Sequence, residues 1–140
     1  MRTATKRAPA APAPRFTVTI IEDDTVVLEP GRGLMWDPAE SKEMTQKQAL
    51  AYVKKLRTGG FKDWRLPTVE ELFLLADRSK YRPAIDTASF PDCKSDWYWT
   101  STPAADSPAD CAWFVYFRYG NASWFHQDDS GVVRAVRASQ

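Results

Sequence analysis

The spacing of apolar residues divides the chain into an early half that mixes strand and helix patterns and a late half that reads as strand throughout. Residues 16–21 and 25–28 are β-branched runs on either side of Glu22, Asp23 and Asp24, so they predict a first hairpin with an acidic turn. Leu34, Met35 and Trp36 read as a short buried segment that ends at Asp37-Pro38, because the residue before a proline is disfavoured in helix. From Thr45 the period changes. Ala49, Tyr52, Val53 and Leu56 recur at i, i+3, i+4 and i+7, with Lys47, Lys54 and Lys55 outside, which predicts an amphipathic helix capped by Thr45 and ended by Gly59-Gly60. Thr68 and Glu71 have the spacing of a capping box, and behind it Val69, Leu72, Phe73, Leu75 and Ala76 predict the core face of a second helix.

Residues 79–93 carry Pro83 and Pro91 and no regular period, which predicts a long irregular loop wrapped on the domain. Segments 97–101, 112–118, 122–126 and 132–136 then read as strands separated by turn-rich stretches that include Gly120-Asn121 and residues 128–131, a three- or four-stranded antiparallel meander. Two helices in the first half and most strands in the second give an α+β order, with the helices packed on antiparallel sheets. The 140 residues suffice for one domain, placed at 16–138. Residues 1–15 are Ala/Pro-rich with three arginines and one lysine, and they predict a flexible basic tail.

Charge and cysteine content narrow the function classes. With 19 basic against 18 acidic residues, no whole-molecule field selects nucleic acid or an anionic membrane as the primary target. No apolar run has the length of a membrane span, and no apolar segment follows the first basic residues as a signal peptide would, so the expected compartment is cytoplasmic. Cys93 and Cys111 are too few for a disulfide scaffold, and free thiols are the expectation, with a bond between the two left open.

The candidate chemistry thins on inspection. His126 has only Asp128 and Asp129 near it in sequence and reads as a polar surface histidine. Ser101 sits in no nucleophile elbow, and no phosphate-cradling glycine loop occurs. Asp106, Asp110, Asp128 and Asp129 offer hard oxygens, but solvated loop carboxylates are the expected reading. No catalytic residue, metal or cofactor is therefore expected. Between residues 112 and 126 stand Trp113, Phe114, Tyr116, Phe117, Tyr119, Trp124 and Phe125, more aromatics than one sheet face needs. Trp113, Val115 and Phe117 share one face and Phe114, Tyr116 and Arg118 the other, so one face is open to recognition unless both are covered. The expected binding rim is Tyr116, Tyr119, Asn121, Trp124, His126 and Asp128.

Seven phrases, in order, resemble a known family. They are Gly33-Leu34-Met35-Trp36, the helix ending at Leu56, Lys62-Asp63-Trp64-Arg65-Leu66-Pro67-Thr68 with Glu70-Glu71-Leu72, Ile85-Asp86 with Phe90-Pro91, the 97–102 run, the 113–120 strand and turn, and Val133-Arg134-Ala135-Val136-Arg137. The chain resembles the C-terminal domain of the collagen-like adhesin Lcl, also catalogued as a bacterial domain of unknown function, over nearly everything after residue 25. The resemblance implies a C-type-lectin-like topology. It also implies a bonded cysteine pair where this chain has Val53 and Ala135, a loss that suits a reducing compartment. In such a fold Trp36, Trp64, Trp97 and Trp99 are expected to be mainly core, and Arg65 to pair with an acid at the helix start.

The resulting expectation is a non-catalytic module that binds a protein partner through its late strands and loops. One version is a phage- or mobile-element-encoded factor acting in the host cytoplasm or carried in the virion. The alternatives are a glycan-binding adhesin-type domain, a formylglycine-generating-like enzyme or accessory by fold analogy, and a self-associating dimer or trimer.

Overall fold

The computed structural model describes residues 14–139. The expected tail falls outside that range except for Pro14 and Arg15, and the Arg15 guanidinium ion-pairs with Glu29 at 3.0 Å. The first hairpin is β1 (Thr17–Ile21) and β2 (Asp24–Glu29), paired antiparallel from Thr17↔Leu28 to Ile21↔Asp24. Its turn is two residues, because Glu22 and Asp23 both take left-handed φ of 49° and 69°, which matches the twist of the strands they join. Asp24, expected in the turn, opens β2 instead.

After β3 (Leu34–Trp36), helix α1 (Gln46–Lys55) starts at Thr45, whose hydroxyl accepts from the Gln48 N–H while the Gln48 side chain accepts from Thr45 N–H. Gln46, Ala49 and Val53 are buried along it. The glycine pair does not end this helix. Leu56 is already extended, and Gly59 and Gly60 form the next turn, docked on the hairpin. Gly59 N–H donates to Asp24 at 2.7 Å, and a Cβ on Gly60, which has φ of 81°, would lie 2.2 Å from the Glu22 carboxylate. Helix α2 (Val69–Leu75) has the expected capping box, and Arg65 donates two bonds to Glu71, at 2.7 and 2.9 Å. Only Leu72 and Leu75 of this helix are buried. Phe73 corrects the expected core face: one residue round from Leu72, its ring lies outside, 4.0 Å beneath the Arg78 guanidinium.

The late strands are β4 (Trp97–Pro103), β5 (Cys111–Tyr116) and β6 (Asn121–His126), an antiparallel sheet in chain order. The expected fourth member leaves it. Residues 131–135 thread as isolated bridges, Gly131 to Met44 and Val132 to Tyr98, and the chain then pairs as β7 (Val136–Ala138) with β3. A four-stranded sheet β1-β2-β3-β7 results. The architecture is α+β, with two helices and two antiparallel sheets, and it is compatible with a C-type-lectin-like topology. Trp36, Leu72, Phe90, Tyr98 and Val115 centre one buried cluster; Val26, Trp64, Trp99, Phe114 and Val133 centre the other. Val53 and Ala135 lie together in the second. Cys93 and Cys111 are unbonded thiols.

Two carboxylates are built into this core. Glu40 receives bonds from Arg134 at 2.5 Å and from the Tyr98 hydroxyl, and the Arg134 guanidinium also donates to the Pro38 carbonyl and lies 4.9 Å over Phe90. Glu29 accepts from Arg32 at 2.7 and 2.9 Å and from the Trp36 indole at 2.9 Å. Burial raises the Glu29 carboxyl, but the bonds from Arg32 and Trp36 outweigh it, so the group sits below its ordinary value.

Removing one partner of a sealed pair leaves an uncompensated charge, so Glu40→Ala lowers the unfolding free energy by about 3–5 kcal/mol in denaturant titration. A loss below about 1 kcal/mol would show that water reaches Arg134 in the variant. The depressed Glu29 carboxyl contributes stability that is present above its unfolded value of about 4.3 and is lost as pH falls through its folded value. Glu29→Gln therefore flattens the acid limb of stability below about pH 5, measured as the denaturation midpoint at each pH. An unchanged acid limb would assign that loss to other carboxylates.

Candidate functional site

The β5–β6 register decides which late aromatics meet. Ala112↔Phe125, Phe114↔Ser123 and Tyr116↔Asn121 lie opposite one another, alternating with Cys111↔His126, Trp113↔Trp124 and Val115↔Ala122. Opposed residues of an antiparallel pair share a face, so these are the two faces of the late sheet. The six expected rim residues are split between them. Tyr116 and Asn121 belong to the first face and Trp124 and His126 to the second, while Tyr119 lies in the connecting turn and Asp128 follows β6. A single rim made of all six is thus corrected to two separate surfaces.

The first face is an aromatic platform. Trp97 stacks on Tyr116 with ring centroids 4.1 Å apart and planes 7° from parallel. Phe125 meets Trp97 edge-on at 4.8 Å, and Phe114 supports both from the core. Trp97, expected mainly in the core, is half-buried because its strand partner Tyr116 carries it to the rim. Trp97, Phe114, Phe125, Asp129 and Ser130 line a depression of about 320 Å³. Tyr119, 52% exposed, extends the platform edge-on from Tyr116 at 6.1 Å. The guanidinium groups of Arg82 and Arg118 hold its phenol below the usual range.

The second face carries a smaller feature. Trp113 and Trp124 meet at 5.1 Å over Ala104, Ala105 and Asp106, which with them line a depression of about 210 Å³. His126 stands beside it, where Nδ1 accepts the Asp128 N–H at 3.1 Å and lies 3.5 Å from the Asp128 carboxylate. Both side chains are largely exposed, so this contact ties the turn after β6. Among the described residues, no group of three or more His, Cys, Asp or Glu is placed to hold a metal ion.

Beneath the surface, burial pushes the Cys93 thiol up, the opposite of the shift that activates a nucleophilic cysteine. Burial also pushes the Tyr98 phenol far up. Its hydroxyl donates to Glu40 and accepts the Lys94 N–H at 2.8 Å. Sequence reasoning missed Trp97, Phe125, Asp129 and Ser130 as one surface. Alternation within the 122–126 run could have set Phe125 on the Tyr116 face, but the return of residues 129 and 130 beneath Trp97 depends on the threaded chain end.

No helix among the described residues is long and apolar enough to cross a membrane. A comparison with curated proteins finds no match. The family model described as the Lcl C-terminal domain matches residues 25–137, which takes in every strand and helix just described except β1, the first residue of β2 and the last residue of β7. With so much of its length matched, this chain belongs to the Lcl C-terminal domain family.

Proposed function

We propose that this chain is a single C-type-lectin-like binding domain, spanning residues 16–138, that recognises a protein partner without chemistry or cofactor. The observation that carries this reading is the platform of Trp97, Tyr116 and Phe125, extended by Tyr119 and bordered by Asp129 and Ser130. Aromatic rings with a polar border are the usual centre of a protein interface, since each ring offers a large contact area for little loss of side-chain freedom. Here the rings are already held against one another, so little further ordering is required on binding. The cytoplasm is the proposed compartment, in keeping with two unbonded thiols and with Val53 and Ala135 where the resemblance implies a disulfide.

A second reading is glycan binding. Asn121, Asp129 and Ser130 stand around ring faces on which a sugar could stack, and such faces with neighbouring amide, carboxylate and hydroxyl groups suit a saccharide.

Retention of host proteins on the immobilised chain tests the first reading. The comparison is wild type, a Tyr119→Ala/Phe125→Ala double variant and Trp124→Ala, each confirmed as folded by circular dichroism. A specific protein held by wild type and Trp124→Ala, and weakened about 30-fold or more in the double variant, is expected if the platform carries the hot spot. Equal retention by all three would remove the platform as the site. Retention only on an array of glycans, with the same loss in the double variant, would establish the second reading instead.

A further inference from the structure

We infer that the free edge of β6 is a self-association site, where two copies of this chain pair antiparallel and join their late sheets into one. This goes beyond the proposed partner recognition, because it rests on the strand edge and its flanking charges rather than on the aromatic platform.

β6 is an outer strand of its sheet, and among the described residues its backbone bonds to β5, apart from the His126 carbonyl, which accepts the Asp129 N–H of the turn that follows. An open edge is ordinarily protected by a charge, a proline, a bulge or a covering element. β6 has none of the first three: its six residues contain no Lys or Pro and pair with β5 without a register break. The ends of the strand carry opposite charge. Arg118 precedes it and Asp128 and Asp129 follow it. Among the described residues, Arg118 and Asp129 form no ion pair, Asp128 meets only the His126 imidazole, and the buried Arg118 Nε has no hydrogen-bond partner.

An antiparallel pairing of two identical strands brings the basic end of each against the acidic end of the other. A two-fold axis normal to the sheet keeps each face on its own side, so directly opposed residues must come from the same face. With Ser123 on the axis, Ala122 lies across from Trp124 of the copy and Asn121 across from Phe125, large beside small on both faces. In the same arrangement the turn that carries Arg118 stands against the turn of the copy that carries Asp128 and Asp129. The first outer strand of the other sheet offers no such match. At β1, Arg15 is already paired with Glu29, and Glu22 is packed against the Gly60 turn. A second copy on β6 leaves Trp97 and Tyr116 of each chain open and sets the two platforms side by side.

Sedimentation velocity over a micromolar to sub-millimolar series of the full chain tests the inference, with folding checked by circular dichroism. The wild type is expected to form a dimer. Arg118→Glu and Asp128→Lys, each of which sets like charges together at both ends, are expected to weaken it at least about tenfold, and an equimolar mixture of the two to restore it, because every end then pairs opposite charges. Ser123→Cys, on the axis, gives an independent reading that needs no charge change. Under mild oxidation it is expected to link two chains on a non-reducing gel, where the wild type, with its two native thiols, does not. A wild type that stays monomeric, a dimer indifferent to both charge reversals, a mixture that fails to reassociate, or a Ser123→Cys chain that does not link would each overturn the pairing. Foreign proteins captured through the platform while the chain itself stays monomeric would retain the binding function and reject this inference.

Discussion

The fold hangs on residues 131–138, because this last stretch is where the two sheets and both helix-bearing segments are tied into one body. Gly131 exchanges two backbone bonds with Met44, and Val132 bonds to the backbone of Trp97 and Trp99 in β4. Val133 serves Ser41, Ala135 serves Asp37, and Val136 exchanges two bonds with Arg65 before pairing across from Trp36. Every residue from Gly131 to Arg137 is buried. A buried backbone must find partners for all its polar groups, and here they come from elements far away in sequence. Arg134 adds a sealed charge to the same stretch. Its carboxylate partner stands 94 residues earlier, so the core cannot close until the end of the chain has arrived.

The distinction between local and distant signals explains what was legible in the sequence. Both helix starts could be read because a capping threonine and its partner three residues later satisfy each other within one turn. The first hairpin was legible for the same reason, as was Arg65 against Glu71, six residues apart. The destination of the last strand was not. Residues 132–136 have the composition of a strand, but nothing in them says that they leave the meander for a sheet begun a hundred residues earlier. The pairing of Glu40 with Arg134 was hidden in the same way, since each is an ordinary charged residue until the fold places them together.

The aromatic surface was half legible. Alternation along β5 separated its two faces correctly, and the exposure of Tyr119 and Trp124 agrees with an excess of rings over what the core accepts. Joining them into one rim failed because residues near in sequence on a strand point in opposite directions, and because the β5–β6 register, which no composition reveals, puts Asn121 with Tyr116 but Trp124 with Trp113. Trp97 entered the platform for a related reason. Its place in β4 sets it beside Tyr116, at the end of a strand whose next two residues, Tyr98 and Trp99, are fully buried.

That arrangement gives the platform its physical character. Trp97 is anchored by two neighbours inside the core, Phe114 packs edge-on against both Trp97 and Trp99, and Tyr116 continues into Phe117, which is buried against Tyr98. Each edge or stacked contact contributes about 0.5–1.5 kcal/mol beyond area burial, so the exposed rings are held from behind rather than left to rotate in solvent. A surface ordered in this way presents one shape. Its selectivity must then come from the groups that border the rings, Asn121 from the start of β6 and Asp129 and Ser130 from the turn that leads into the buried chain end. The segment that closes the core therefore also sets the polar border of the site, and a change in how residues 131–138 are seated would be felt at the platform.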